Sequence, residues 1–125
     1  MMKNKLVYLS VLFCTITLFF TNCTKAGLGG KSEIKGYAYY NNKTIKPTTF
    51  YIKYGATTSP GSDLSKYDAS SASDSDGKFD FKGLQKGNYF IYANGVDNSI
   101  IVTGGVYVKI ASSEFKDNVQ INVTP

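Results

Sequence analysis

Apolar and polar side chains alternate at a period of two along most of the chain after residue 32. The clearest run is TFYIKY at residues 49–54, in which Phe50, Ile52 and Tyr54 share one face. No window from Glu33 onward sustains the 3.6-residue apolar period of an amphipathic helix. Short alternating runs between turn-forming residues are typical of β-strands. The pattern therefore predicts an all-β domain.

The alternating runs are short and regularly spaced. They predict strands at residues 33–40, 49–54, 66–73, 78–82, 88–93, 100–110 and 118–123. A polar loop at residues 55–65 interrupts the series, and Pro47 lies just before the second strand, where its missing N–H does least harm. Such a succession of short strands and turns is typical of a sandwich of two sheets.

Strand alternation divides the aromatic side chains between two faces. In NYFIYA at residues 88–93, Tyr89 and Ile91 are predicted to lie in the core, which leaves the residues between them facing solvent. Exposed aromatic rings can stack on sugars or pack against a protein partner, although tyrosine also simply suits β-strands. The candidate ligand contacts are Tyr37, Tyr39, Phe90 and Tyr92.

The first residues are typical of an export signal. Lys3 and Lys5 precede an apolar run at residues 6–20, which is shorter than the roughly 20 residues of a membrane span. Cys23 follows in FFTNC, which resembles a loose lipobox, the site at which bacterial lipoproteins are cleaved and lipidated. We predict a signal peptide at 1–22, a lipidated Cys23 and a flexible tether at 23–32. The alternative is an uncleaved N-terminal anchor.

Composition excludes several classes of function. All 14 basic residues are lysines, spread along the chain, which does not favour nucleic-acid binding. The chain has no histidine, so the usual general base and the commonest zinc ligand are missing. Cys14 would leave with the signal peptide, so Cys23 would have no disulfide partner. We predict no enzymatic activity, no catalytic residues, no metal and no cofactor.

The acidic stretch DSDGKFDF at residues 74–81 has three interpretations. In a calcium loop of the EF-hand type with Gly77 at the sixth position, Asp74 and Asp76 would be ligands, but Ala72 and Gly83 occupy two other ligand positions. A catalytic carboxylate pair would need a buried acid, which nothing here indicates. Asp76-Gly77 is a strong signal for a type I′ hairpin, so we predict a turn.

The same stretch resembles the carboxypeptidase regulatory-like domain, a transthyretin-like or prealbumin-like β-sandwich. The resemblance extends over residues 33–123. It implies a seven-stranded Greek-key two-sheet sandwich at residues 33–125 with a noncatalytic accessory role. The residues that carry it are Asp74, Asp76, Gly77, Phe79, Leu84, Gly87 and Tyr89, together with Ile34, Gly36 and Ala38.

These inferences lead to one main functional hypothesis and two alternatives. The main hypothesis is an envelope lipoprotein, attached to a membrane through Cys23, that serves as a structural or binding accessory module. The alternatives are a carbohydrate-binding surface lipoprotein that uses exposed tyrosines, and a pilus-type adhesive subunit. The expected location is the outer membrane or cell surface, on its periplasmic or extracellular face. The expected partner is an envelope protein or a glycan, not a nucleic acid.

Overall fold

Eight β-strands form the fold. The structure, a computed structural model, describes residues 25–125, so the predicted signal helix and Cys23 lie outside the described residues. Within residues 25–125 the only helical feature is a 3-10 turn at Leu64–Lys66, and no helix there could cross a membrane. The strands are β1 (Leu28–Tyr40), β2 (Lys43–Thr44), β3 (Thr48–Tyr54), β4 (Ala69–Ala72), β5 (Lys78–Leu84), β6 (Gly87–Asp97), β7 (Ile100–Ile110) and β8 (Phe115–Asn122). The all-β prediction is confirmed.

The strands form two sheets packed face to face. In the β1 sheet, β1 pairs antiparallel with β2 and β5 and parallel with β8. In the β6 sheet, the antiparallel order is β4-β3-β6-β7. Phe50 of β3 and Phe79 of β5 meet between the sheets, with ring centroids 4.5 Å apart. The predicted two-sheet sandwich is therefore present.

Several strand boundaries differ from the sequence-based expectation. β4, predicted at 66–73, is limited to Ala69–Ala72, and β6, predicted at 88–93, extends over Gly87–Asp97. β2 is a two-residue strand that no alternating run predicted; it pairs antiparallel with the end of β1 and raises the number of strands in residues 25–125 to eight. β1 begins at Leu28, and both Leu28 and Ser32 pair with Leu84. Residues 28–32 therefore belong to the sheet rather than to the predicted tether. Their glycine content suggested flexibility, but Gly30 is needed because a Cβ there would lie 2.1 Å from the carbonyl oxygen of Leu84.

The core confirms the predicted inward face of β6. Tyr89, Ile91 and Ala93 have no exposed surface and join the central apolar cluster. The cluster draws on both sheets, because burying one apolar face of each sheet is what holds a sandwich together. Its other members are Ile34, Ala38, Ile45, Phe50, Ile52, Phe79, Phe81, Leu84, Val102, Val108, Ile110, Ile121 and Val123.

The DSDG stretch forms a turn that passes from one sheet to the other. It leads from β4 of the β6 sheet to β5 of the β1 sheet, so the predicted hairpin within one sheet is wrong. Gly77 has a positive φ of 80° and Asp76 does not, whereas a type I′ turn needs positive φ at both residues. A Cβ at Gly77 would lie 2.7 Å from Cγ2 of Thr44, so the turn is packed closely against β2.

Candidate binding surface

The sandwich divides the four predicted contact residues between its two outer faces. Tyr37 and Tyr39 lie on the outer face of the β1 sheet, where their rings meet edge to face at 6.2 Å. Phe90 and Tyr92 lie on β6 with side chains pointing away from the core cluster. Since the core separates the two pairs, they cannot form one binding site.

A cluster of three tyrosines covers the outer face of the β6 sheet. Tyr51 of β3 lies directly across from Tyr92 of β6, with ring centroids 6.3 Å apart. Tyr67, which precedes β4, stacks on Tyr92 at 5.8 Å with an interplanar angle of 26° and lies 6.0 Å from Tyr51. All three rings are partly exposed. We call Tyr51, Tyr67 and Tyr92 the tyrosine cluster.

Phe90 lies on the predicted face but is not available as a primary contact. Its side chain is only 6% exposed, because the ring of Tyr107 covers it edge to face at 5.0 Å. The ring of Phe90 also occupies the space beside Gly105, where an added Cβ would lie 2.3 Å from the ring. The expectation of an exposed Phe90 is therefore wrong, and Tyr107, which is 52% exposed, takes its place at the surface.

Polar groups hold one side of the tyrosine cluster in place. The Tyr67 hydroxyl donates a hydrogen bond of 2.7 Å to the carbonyl oxygen of Gly61. The Asp68 carboxylate accepts hydrogen bonds from the Tyr54 N–H at 2.7 Å and from Lys53 Nζ at 3.3 Å. Burial, and then the neighbouring Tyr92, raise the pKa of Tyr67, so its hydroxyl remains a neutral donor. These bonds fix the loop before β4 against the cluster.

A small cleft opens beside the tyrosine cluster. Its volume is about 200 Å³, and its lining combines two aromatic rings with polar groups. Aromatic surface with a few convergent polar groups is the usual composition of a small-molecule site. The lining residues are Tyr51, Leu64, Tyr67, Asp68, Ala69 and Ser70.

The outer face of the β1 sheet has a different chemistry. A cleft of about 300 Å³ lies over the irregular pairing of β1 with β8 and is lined mainly by charged and polar residues. Tyr37 contributes to it, but its hydroxyl already donates to Oε1 of Gln120 at 3.1 Å. Lys35 lies 3.4 Å from Glu33, whose hydrogen bond and charge raise the pKa of Lys35. The lining residues are Lys35, Gly36, Tyr37, Lys78, Asp117 and Asn118.

One acidic residue of the DSDG turn, Asp74, has structural partners for its carboxylate. Asp74 Oδ1 accepts hydrogen bonds from the backbone N–H groups of Asp76 and Lys78, each at 2.9 Å. The bond from Lys78 is the main reason that the pKa of Asp74 is lowered. Among residues 25–125, no three or more potential metal ligands are grouped together. The turn interpretation is sufficient to account for the contacts of the Asp74 carboxylate.

Sequence reasoning missed three of the surface aromatic residues. Tyr51 and Tyr107 could have been found by extending the alternation rule to β3 and β7, because each lies between inward-facing neighbours. Tyr67 was included in the strand predicted at 66–73, but in the structure it follows a 3-10 turn and lies outside any strand, so alternation could not place its ring. Only the folded loop brings its ring onto Tyr92.

Comparison with known proteins gives a likeness of fold. No family model matches the chain, and no curated protein matches it. A solved structure from Pseudomonas aeruginosa, described as a "putative carbohydrate binding protein", is similar, with a TM-score of 0.52 and 14% sequence identity. The match covers 78% of this chain and 91% of that one. At this identity the likeness shows a shared β-rich fold.

Proposed function

We propose that this chain is a noncatalytic, carbohydrate-binding module of the cell envelope, attached to the membrane through Cys23. The observation that carries the proposal is the tyrosine cluster, in which three partly exposed rings from β3, β6 and the loop before β4 contact one another. The similar fold of a protein described as "putative carbohydrate binding protein" supports the choice of a glycan over other ligands.

The chemistry of the cluster suits a sugar. The faces of aromatic rings carry partial negative charge and pack well against the weakly positive C–H groups on one side of a pyranose ring. The hydroxyl groups of a sugar then need hydrogen-bonding partners at the rim, and the carboxylate of Asp68 and the side chain of Ser70 line the adjacent cleft. Ring stacking and rim hydrogen bonds together would bind and orient a sugar.

The extent of the aromatic surface suits an oligosaccharide. From the tyrosine cluster it continues over Phe90 to the exposed ring of Tyr107 on β7. Since β3 and β7 lie two strand spacings apart, the surface is about 10 Å wide. A single sugar ring covers about one tyrosine ring, so a chain of several sugars fits this surface better than a monosaccharide.

The charges around the cluster favour a neutral glycan. Lys53, the nearest lysine along β3, lies 3.3 Å from Asp68, so each charge is balanced by the other. An anionic sugar in the cleft would be repelled by the carboxylate of Asp68, and a cationic sugar would compete with Lys53 for that carboxylate. Neutral sugars avoid both conflicts.

We further infer that the domain is of the carboxypeptidase regulatory-like type with a Greek-key arrangement. The residues that carry the resemblance shape a turn or lie in the core of this structure, which supports this assignment. Asp74 and Gly77 shape the turn into β5, Phe79 and Leu84 are buried, and Tyr89 lies in the core. Such domains are accessory modules, in keeping with a chain that has neither histidine nor arginine for acid–base or anion chemistry.

A protein-binding role is a second candidate, favoured by a separate apolar patch. Val96, Ile100 and Ile101, at the turn between β6 and β7, are 41%, 53% and 64% exposed. Isolated apolar residues are common on protein surfaces, but Val96 and Ile101 are directly paired across the hairpin, so their side chains are neighbours that can bury against a partner. This patch lies away from the tyrosine cluster, so the two roles can be tested separately.

The test is glycan binding by two variants that each lose a tyrosine from one outer face. Tyr92→Ala removes the central ring of the tyrosine cluster, and Tyr39→Ala removes a partly exposed ring from the opposite face. On an array of neutral oligosaccharides, wild type and Tyr39→Ala are expected to bind alike. Tyr92→Ala is expected to bind about tenfold more weakly, a loss of about 1.4 kcal/mol.

Three outcomes distinguish the candidates. Loss of binding in Tyr39→Ala alone would move the site to the outer face of the β1 sheet. No binding of wild type to any glycan would contradict the carbohydrate proposal. The protein-binding role would be favoured if wild type and Tyr92→Ala each pull down an envelope protein and Ile101→Ser does not.

A further inference from the structure

We propose that one end of the sandwich is a docking surface for an anionic lipid bilayer, which holds the domain upright on the membrane. This end contains Gly27, the turn between β5 and β6 and the turn between β7 and β8, and we call it the Gly27 end. The proposal rests on the proposed lipid anchor at Cys23. It adds a defined orientation and a lipid preference, neither of which an anchor alone would supply.

The first argument is the short reach of the chain between Cys23 and the folded domain. The N–H of Gly27 donates to the Tyr89 hydroxyl at 2.8 Å, and the carbonyl oxygen of Gly27 accepts the N–H of Gln85 at 2.8 Å. The domain is therefore fixed to the chain from Gly27 onward. Residues 24–26 can span at most about 14 Å from Cys23 to Gly27. A lipidated Cys23 would keep the Gly27 end next to the bilayer.

The second argument is the charge of the Gly27 end. Lys31 lies near the start of β1, Lys86 in the turn between β5 and β6, and Lys109 next to the end of β7. Within residues 25–125, none of these three forms an ion pair. Exposed lysines near a bilayer are attracted to anionic lipids over roughly a Debye length, about 8 Å. The exposed lysines of this end are Lys25, Lys31, Lys82, Lys86 and Lys109.

Acidic residues at the Gly27 end are already paired. Glu114 accepts a hydrogen bond from the Ala111 N–H at 2.6 Å and lies 3.7 Å from Lys116. Glu33 lies 3.4 Å from Lys35, and Asp80 lies 3.4 Å from Lys82. The loop after β3 also lies at this end, because the Gly55 N–H donates to the Asn88 carbonyl oxygen, and there Asp63 accepts hydrogen bonds from Ser65 while Asp68 lies 3.3 Å from Lys53. Lysines still outnumber acidic residues at this end, so its net charge is positive.

The opposite end of the sandwich lacks this excess. Lys43 forms an ion pair with Asp97 at 2.6 Å, and Lys46 Nζ donates to the Ser75 carbonyl oxygen at 2.7 Å. Three lysines and three aspartates lie at that end, so their formal charges sum to zero. They are Lys43, Lys46 and Lys78, with Asp74, Asp76 and Asp97. The charge asymmetry selects the Gly27 end as the one that meets anionic lipid.

Two exposed apolar side chains complete the surface. Leu28, the first residue of β1, and Phe115, the first residue of β8, are each 65% exposed. Apolar side chains among lysines are the usual composition of a protein surface that inserts at the headgroup level. In this orientation β6 runs away from the bilayer and the antiparallel β3 runs towards it, and the tyrosine cluster lies on the side of the domain, open to a glycan.

The test uses tryptophan fluorescence, because the chain has no tryptophan of its own. Phe115→Trp places a probe at the Gly27 end, and Ile101→Trp places one at the opposite end, both at exposed positions. Each full-length, anchored protein is reconstituted into vesicles that contain a brominated quencher lipid. One set of vesicles contains phosphatidylglycerol with phosphatidylcholine, and the other contains phosphatidylcholine alone.

The probe at position 115 is expected to be quenched at least about twofold more than the probe at position 101 on the anionic vesicles. Quenching at position 115 should fall at high salt, on neutral vesicles, and when Lys86→Glu and Lys109→Glu are combined. Equal quenching of both probes, stronger quenching at position 101, or no dependence on lipid charge would overturn the docking surface while leaving the anchor and glycan binding intact. Loss of the protein from both vesicle types would overturn the anchor and the docking surface together.

Discussion

At the scale of single residues, Tyr89 joins three parts of the fold. Its ring is fully buried in the core, where it meets Tyr54 edge to face at 5.9 Å. Its hydroxyl accepts from the Gly27 N–H and donates to the Gln85 carbonyl oxygen, which ties the start of β1 to the turn before β6. Burial raises the pKa of Tyr89, so the hydroxyl stays protonated and keeps its donor.

Tyr89→Ala should lower the free energy of unfolding by about 3–5 kcal/mol, because it leaves a cavity the size of an aromatic ring. Tyr89→Phe keeps the ring but leaves a buried N–H at Gly27 without a partner, which should cost about 1–3 kcal/mol. Tyr92→Ala should cost clearly less than Tyr89→Ala, since Tyr92 lies outside the core cluster. Urea denaturation measures all three. A larger loss for Tyr92→Ala than for Tyr89→Ala would reverse the assignment of the two faces of β6.

At the scale of elements, the DSDG turn leads from one sheet to the other, and hydrogen bonds to the Asp74 carboxylate hold the turn in place. Asp74 bonds with the N–H groups of Asp76 and Lys78, and its own N–H donates to the Lys78 carbonyl oxygen at 2.9 Å. The side chain thus replaces backbone partners that a hairpin within one sheet would have supplied. The Asp74 carboxylate therefore has a structural role at this position.

Asp74→Asn should make the free energy of unfolding depend less on pH in the acidic range. The pKa of Asp74 is lowered in the folded state, so its carboxylate stabilises the fold above the unfolded pKa of about 3.9, and this contribution is lost as the pH falls through the folded pKa. The wild-type urea midpoint should therefore fall more steeply than that of Asp74→Asn below about pH 4. Asp76→Asn is the matched control, because the Asp76 carboxylate accepts no hydrogen bond from residues 25–125. An equal effect of both variants would count against the assigned role of Asp74.

At the scale of the whole molecule, the two ends and two outer faces of the sandwich have distinct chemistry. The outer face of the β6 sheet has the tyrosine cluster, and the outer face of the β1 sheet has a charged cleft. The Gly27 end has lysines without ion-pair partners, whereas the opposite end has the Lys43–Asp97 ion pair, equal numbers of lysines and aspartates, and exposed apolar residues on the β6–β7 hairpin. A fixed attachment at one end would keep the other surfaces accessible at the same time.

Cys23→Ala should release the protein from membranes in a high-salt wash, while the wild type stays bound and incorporates labelled palmitate. Attraction between lysines and anionic lipid is screened by salt, whereas a multiply acylated cysteine holds a protein durably. Membrane fractionation of cells that produce each form is the measurement. If the variant remains bound after the wash, the uncleaved N-terminal anchor becomes the better interpretation.

Local alternation along the sequence correctly predicted most of the strands and the inner face of β6. Alternation depends only on neighbours within one strand, so it correctly placed Tyr89 and Ile91 in the core and excluded long helices from residues 33–125. The same local rule correctly predicted that the side chains of Phe90 and Tyr92 point away from the core cluster. Turn signals such as Asp76-Gly77 likewise marked where the chain bends, because glycine accepts a positive φ.

Which surface residues contact one another depends on the folded arrangement of the strands and loops. Tyr37 and Tyr92 look equivalent by alternation, yet the core lies between them because β1 and β6 belong to different sheets. The burial of Phe90 depends on Tyr107 across the β6–β7 pair, and the tyrosine cluster depends on the loop that brings Tyr67 onto Tyr92. Contacts between residues distant in the sequence follow from strand order and loop path, and a local pattern of hydrophobic and polar positions specifies neither.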